Sequence, residues 1–103
     1  MKLNLSAILL VIAFLFVSCG EKTDIVESGT YRGIVDKVEA SKTEIYVKTS
    51  DNKTLELYFT DNTSLTRNGE RVEFSNLEEG QQVEVDVEKT GKRLDPIAVR
   101  ILD

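Results

Sequence analysis

The sequence predicts an all-β domain, a sandwich or a small barrel of five to six antiparallel strands with one short helical turn. Two observations support this. Apolar residues recur at every second position in several short segments, and turn-forming residues separate those segments. Alternation of this kind gives a strand one face for the core and one for solvent. The alternating segments lie at residues 45–47, 55–59, 83–87 and 97–101.

The first strand is longer than the others and favours a barrel over a sandwich. Its pattern covers residues 30–39, and Gly33 falls inside it. A glycine within a strand is typical of a bulge or a sharp bend. Closing a barrel removes unpaired strand edges, which a domain without disulfides would otherwise expose.

The turns separating the later strands are also readable. Asn68-Gly69 predicts a two-residue hairpin turn, because a type I′ turn needs positive φ at both central positions. This turn places Leu65 opposite Val72 and Thr63 opposite Phe74. Pro96 has no N–H to donate to a ladder, so it predicts an edge or the start of the last strand.

One segment carries a helical signal. Ser75 is a suitable N-cap, Glu78 follows three residues later, and Gly80 can close the turn. We therefore expect about one helical turn here, with Leu77 facing the core.

The hairpin formed by residues 45–59 has a predicted register. Pairing Ser50 with Thr54 keeps the apolar residues of both strands on one face and sets Tyr46 opposite Tyr58. The resulting three-residue loop needs a left-handed residue at its end, and Lys53 is poorly suited to that conformation. A longer loop with the same parity is the alternative.

The core follows from the same alternation. We expect the buried face of each strand, together with the residue that the helical turn directs inward, to form one apolar cluster. The predicted members are Val35, Ile45, Val47, Leu55, Leu57, Phe59, Leu65, Val72, Phe74, Leu77, Val83, Val85, Val87, Val99 and Ile101.

The N-terminus has the order of a secretion signal. Lys2 precedes a hydrophobic run at residues 5–17, and Phe16-Val17-Ser18-Cys19 ends it at the only cysteine of the chain. This tetrapeptide resembles the lipobox of bacterial lipoproteins, which implies acylation of Cys19 and removal of the residues before it. A conventional signal peptide cleaved near Ser18 is the alternative. The run is shorter than the roughly 20 apolar residues of a spanning helix.

Three segments follow from this interpretation: a signal peptide at residues 1–18, a lipidated tether at 19–28 and a β-barrel domain at 29–103. The tether is polar and unpatterned. We expect the mature protein to lie in the bacterial cell envelope, anchored to the membrane by lipid, with its domain in the periplasm or on the cell surface.

Composition excludes several functions. Without residues 1–18 the chain has 12 basic and 18 acidic residues, a formal charge of −6, and an acidic surface disfavours nucleic acid. The chain has no histidine, no glycine-rich phosphate loop and no zinc-ligand pattern. We therefore expect no enzymatic activity, no cofactor and no metal site.

Two sets of side chains are candidates for binding. Glu84, Asp86 and Glu88 form an acidic stripe, which suits either a cation or, in the simpler interpretation, cross-strand Lys and Arg partners. Tyr46 and Tyr58 are both predicted to point outward. Such a pair is either a contact surface for a sugar or protein, or a cross-strand pair that stabilises the hairpin. It is the candidate binding surface.

Three stretches resemble the secreted OB-like domains of unknown function found in bacteria. They begin at Gly29-Thr30-Tyr31, Thr63-Ser64-Leu65 and Leu77-Glu78-Glu79, and the resemblance covers nearly all of residues 29–102. It implies an OB-like barrel without shared catalytic residues. We therefore expect a non-catalytic binding or interaction module with a protein or small-molecule ligand. The alternative is an accessory lipoprotein that positions a larger envelope complex.

Overall fold

The computed structural model describes residues 22–102, and this part of the chain is an all-β, OB-like barrel. It has seven strands rather than the five to six expected, and two 3₁₀ turns, at Ala40–Lys42 and Phe74–Asn76. Among these residues no helix is long and apolar enough to cross a membrane. The strands are β1 Gly29–Glu39, β2 Glu44–Thr49, β3 Thr54–Tyr58, β4 Ser64–Arg67, β5 Glu70–Arg71, β6 Gln82–Thr90 and β7 Arg93–Ile101.

The strands form one sheet in the order β3-β2-β1-β6-β7-β4-β5, and β3 also packs beside β7. All neighbours are antiparallel except β4 and β7, which are parallel. The expectation of a wholly antiparallel barrel was therefore wrong at this pair. The chain leaves β3 and reaches the far side of β7, where β4 runs in the same direction as its neighbour.

Strand β1 is shared by the two parts of the sheet. Its first half pairs with β6 and its second half with β2, and both pairings overlap at Gly33 and Ile34. At Gly33 a Cβ would lie 2.8 Å from Val47 Cγ1 and 2.9 Å from the carbonyl carbon of Lys48. The glycine therefore permits a close approach of backbones. The bulge itself lies between Val35 and Lys37, not at Gly33.

The predicted core is largely confirmed. Most of the expected residues are buried in one cluster, and Leu57 is completely covered. Phe59, Val72 and Phe74 are only partly buried and pack against the cluster, with the Phe59 and Phe74 rings edge to face at 5.0 Å. Leu94 was missed, because β7 begins at Arg93 rather than at Pro96.

Pro96 and Ile97 mark an irregularity inside β7. Asp86 pairs with Ala98 and Val87 pairs with Pro96, so Ile97 is the extra residue of a bulge in the β6–β7 ladder. A bulge accommodates proline within a paired strand. It also leaves Ile97 outside the regular alternation, and this side chain is 46% exposed.

The β4–β5 turn confirms the Asn68-Gly69 prediction. Both residues have positive φ, and Arg67 pairs with Glu70 across them. The Val72 amide donates to the Leu65 carbonyl at 3.1 Å. Thr63 and Phe74 do not extend the ladder, because the chain has by then entered a 3₁₀ turn.

The helical turn was predicted at the wrong residues. It spans Phe74–Asn76, its N-cap is Glu73, and no side chain caps it. Ser75 therefore lies inside the turn and does not begin it. The expected burial of Leu77 is confirmed, and Gly80 has positive φ.

The β2–β3 hairpin keeps the predicted parity but not the predicted partners. Tyr46 lies opposite Glu56 and Tyr58 opposite Glu44, so the register is displaced by two residues from the expected pairing of the tyrosines. The position of the loop accounts for this displacement: the Thr49 amide donates to the Lys53 carbonyl at 2.8 Å, so the three-residue loop is 50–52, one residue earlier than predicted. Asn52, not Lys53, takes the left-handed conformation, and Lys48 pairs with Thr54 at the last rung.

Replacing Gly33 by alanine should destabilise the domain by about 1–3 kcal/mol, because the new methyl group must displace packed backbone. In a domain of this size that corresponds to a loss of roughly 4–8 °C in melting temperature per kcal/mol. Gly29→Ala is the matched control in the same strand, since its Cβ would meet only Tyr31 Cε1, at 3.8 Å. Equal melting temperatures for the two variants would contradict the close approach at Gly33.

Candidate functional site

A groove of about 450 Å³ opens beside the point where β1 changes partner. Its apolar lining comes from Gly33 and Ile34 of β1, Val83 of β6 and Leu102 after β7. The Leu102 amide donates to the Gln82 carbonyl at 2.9 Å, which holds the end of the chain against the groove. The groove lies where β1 passes from pairing with β6 to pairing with β2.

Charged and hydrogen-bonding side chains surround this apolar lining. Arg32, Asp36 and Lys48 contribute the charges, and Ile34 is 40% exposed between them. Thr49, Ser50, Asn52 and Gln82 add hydroxyl and amide groups. An apolar lining with a few polar groups at its rim, within a volume of this size, is typical of small-ligand sites.

Sequence reasoning missed this groove. One signal was available: Ile34 and Val35 are consecutive apolar residues in a strand, so one of them must point away from the core. Val35 is buried and Ile34 is exposed. The other lining residues come from separate segments, and their proximity depends on the pairing of β1 with both neighbours.

The predicted tyrosine surface has a different composition from the one expected. Tyr46 and Tyr58 lie on the same face of the β2–β3 hairpin, but Glu44 and Glu56 alternate with them. The Tyr46 hydroxyl donates to Glu56 Oε2 at 3.4 Å, and Lys37 Nζ lies 5.5 Å from the centre of the Tyr46 ring. Tyr46 is half-buried and Tyr58 is 44% exposed. The face is a cluster of phenols and carboxyls rather than an aromatic platform.

Glu44 is the unusual member of this cluster, because only 1% of it is exposed. Its Oε2 has no hydrogen-bond partner among the described residues. Burial and a hydrogen bond with Glu56 raise the pKa of Glu44, whereas the same hydrogen bond lowers the pKa of Glu56. Opposite directions of this kind are expected of two adjacent carboxyls, of which Glu44 is the harder to ionise.

The phenols stay protonated beside this pair. A hydrogen bond to Glu44, followed by burial, raises the pKa of Tyr58 to about 12. Burial, followed by the charge of Glu56, raises the pKa of Tyr46 to about 12. Both hydroxyls thus stay protonated across the physiological pH range, and that of Tyr46 remains a donor to Glu56.

The acidic stripe confirms the simpler interpretation for two of its three residues. Arg100 contacts Glu84 at 2.9 Å and Asp86 at 2.8 Å, and Arg32 contacts Glu84 at 3.0 Å. Arg32 first, and then Arg100, lowers the pKa of Glu84, while Arg100 and Thr30 lower that of Asp86. Glu88 lies outside this network, opposite Asp95.

The part of the chain that the structure describes offers little for metal binding. Among residues 22–102 no cluster of three or more His, Cys, Asp or Glu side chains is arranged to hold a metal ion. Cys19, the predicted acylation site, lies outside the described residues. The candidate features are therefore the groove, which has the composition of a ligand site, and the carboxyl pair of Glu44 and Glu56.

The described part of the predicted tether lies against the barrel. The Asp24 amide donates to the Thr54 carbonyl at 2.7 Å, and the Thr54 amide donates to Asp24 Oδ2 at 2.9 Å. Ser28 Oγ accepts from the Lys89 amide at 2.8 Å. These bonds join the segment to β3 and to the end of β6.

Comparison with known proteins identifies the fold but no family. No family model matches the chain, and no curated protein matches it significantly. Solved structures of CusF do match. A tryptophan-to-alanine variant of Escherichia coli CusF with Cu(II) has a TM-score of 0.59 and 12% identity over 75% of this chain and 94% of that one.

Two further CusF structures agree with this likeness. CusF with Ag(I) from Escherichia coli has a TM-score of 0.57 and 12% identity, covering 75% of this chain and 94% of that one. A second structure titled Ag(I)CusF has the same score and identity and is covered completely. At this identity the likeness concerns the fold alone.

Replacing Glu44 by glutamine should change how stability depends on pH. Because the folded-state pKa of Glu44 lies above its ordinary value of 4.5, its stabilising effect is complete below that pH and is lost as the pH rises through the folded-state pKa. Glutamine stays neutral, so the variant should gain stability relative to wild type as the pH rises. Thermal unfolding between about pH 4 and pH 9 measures this.

Glu84→Gln provides the opposite control. The pKa of Glu84 is lowered in the folded state, so its stabilising effect is present above the ordinary value and is lost on acidification. This variant should be less stable than wild type at neutral pH and approach it in acid. The same pH dependence in both variants would show that Glu44 does not carry the proton.

Proposed function

We propose that the protein is a non-catalytic binding module of the bacterial cell envelope, anchored by lipid at Cys19, with its ligand site in the groove beside β1. The single observation that carries this proposal is the groove itself, with an apolar lining and a polar rim. A site of this composition selects a ligand with an apolar body and a few polar groups. A broad apolar patch without a groove would have favoured the accessory-lipoprotein alternative instead.

A binding role also agrees with the available chemistry. The chain has no histidine, and acylation would occupy the thiol of its one cysteine. Glu84 and Asp86 of the acidic stripe form ion pairs with Arg100. The formal charge of −6 after removal of residues 1–18 opposes binding of nucleic acid.

The likeness to CusF supports a binding module but not a copper site of the same kind. Copper favours thiolate, thioether and imidazole ligands. Residues 22–102 contain no Cys, Met or His. We therefore propose an organic ligand, either a small molecule or a segment of a protein, for the groove.

Lipidation is tested by changing Cys19 to alanine. The thioether to diacylglycerol requires a thiol, so the variant should leave the membrane fraction or remain as uncut precursor, whereas wild type should sediment with membranes. Intact-mass measurement of the mature wild type checks the modification directly. A mature mass without acyl groups would contradict the anchor and favour ordinary cleavage near Ser18.

The groove is tested by photo-cross-linking in cells that produce the full lipoprotein. A benzoylphenylalanine at Ile34 should capture the ligand as a discrete adduct detectable by mass. The same residue at Ile97 is the matched control, because Ile97 is similarly exposed but lies outside the groove. Adducts of equal yield at both positions, or none at Ile34, would contradict a ligand site there.

A further inference from the structure

We propose that the domain presents one defined surface to the membrane, and that its contact is with the lipid headgroups of the bilayer carrying the Cys19 anchor. This anchor-side surface consists of Ile25, Tyr58, Lys92 and Arg93. The proposal rests on lipidation of Cys19, which is part of the proposed function. It adds an orientation that a freely swivelling tether would not impose.

The segment at residues 24–28, shortly after the predicted anchor, is attached to the barrel. Asp24 exchanges two hydrogen bonds with Thr54, at 2.7 and 2.9 Å. Farther along, the Tyr31 hydroxyl donates to the Glu27 carbonyl at 2.7 Å, and Lys89 Nζ lies 3.2 Å from Glu27 Oε2. Residues 24–28 are therefore joined to the domain at both ends.

Only a short length of chain lies between the predicted anchor at Cys19 and this attachment. Four residues lie between Cys19 and Asp24, which makes five steps along the chain, and even a fully extended chain spans at most about 3.6 Å per step. Asp24 would thus lie within about 18 Å of an acylated Cys19. Since Asp24 is bonded to Thr54 at the start of β3, the side of the barrel formed by β3 has to stay near the bilayer.

The exposed side chains on this side of the barrel suit a membrane interface. Ile25 and Tyr58 are 43% and 44% exposed, and both line a cavity of about 290 Å³. Its charged lining residues are Lys92 and Arg93 together with the acidic Asp24 and Glu56. Tyrosine and aliphatic side chains favour the membrane interface, and nearby cations attract anionic headgroups. Arg93 also contacts Asp95 at 2.9 Å, so Lys92 is the more important cation.

The opposite end of β7 supplies a control position. Asn68 lies in the turn whose preceding residue, Arg67, pairs with Ile101. Arg93 and Ile101 are the first and last of the nine residues of β7, a distance of roughly 26 Å along the strand at about 3.3 Å per step. A label at Asn68 should therefore stand away from the headgroups.

The experiment uses the full lipoprotein reconstituted into vesicles of phosphatidylcholine and phosphatidylglycerol. Acylation blocks the thiol of Cys19, so a cysteine introduced by Ile25→Cys, Lys92→Cys or Asn68→Cys can be labelled alone with a fluorophore. Quenching by nitroxide-headgroup lipid should be several-fold stronger at positions 25 and 92 than at 68. Lys92→Glu in the Ile25→Cys background should reduce the quenching at position 25.

Each outcome decides between the two proposals. Equal quenching at positions 25, 92 and 68 in an acylated protein overturns the orientation while leaving the anchor intact. An unacylated mass, with no label associated with vesicles, overturns the anchor and the orientation together. The cross-linking result at Ile34 is independent of both, because the groove does not include any residue of the anchor-side surface.

Discussion

The sharing of β1 between two parts of the sheet is the constraint on which the rest of the structure depends. At Gly33 and Ile34 one strand has paired partners on both sides, Thr49 and Lys48 in β2 and Val83 and Gln82 in β6. The backbones approach so closely that only glycine fits at the first of these positions. This double pairing of β1 joins the two parts of the sheet, which surrounds a core of valine, leucine and isoleucine side chains. The described residues contain no cysteine, so no disulfide contributes to this core.

The groove lies at this same double pairing of β1. Where β1 passes from β6 to β2, Ile34 is 40% exposed and lies among the groove residues. A feature required for closing the barrel therefore also supplies the most suitable ligand site among the described residues. In this way fold stability and the proposed binding function depend on the same residues of β1.

The hairpin of β2 and β3 carries a second, electrostatic constraint. Glu44 is buried beside Glu56, and burial together with this neighbour raises the pKa of Glu44, while the phenols of Tyr46 and Tyr58 alternate with the two carboxyls on the same face. On β6, the more exposed Glu84 and Asp86 form ion pairs with Arg100 instead. The two acidic groups thus respond to pH in opposite directions.

The sequence by itself determined the all-β class, most of the core and the Asn68-Gly69 turn. These features depend on local alternation and on backbone preferences of single residues, which a sequence displays directly. It also determined the parity of the β2–β3 hairpin, because apolar residues must share one face.

Only the tertiary structure decided which residues of that hairpin face each other, since a loop placed one residue earlier along the chain shifted the register by two without disturbing the parity. The parallel pairing of β4 with β7, the bulge at Ile97, the groove and the attachment of residues 24–28 to β3 were likewise decided there. Each of these features joins segments that are distant in sequence. Their proximity follows from how β1 bends and how the strands close around the core, and neither is expressed in any local pattern.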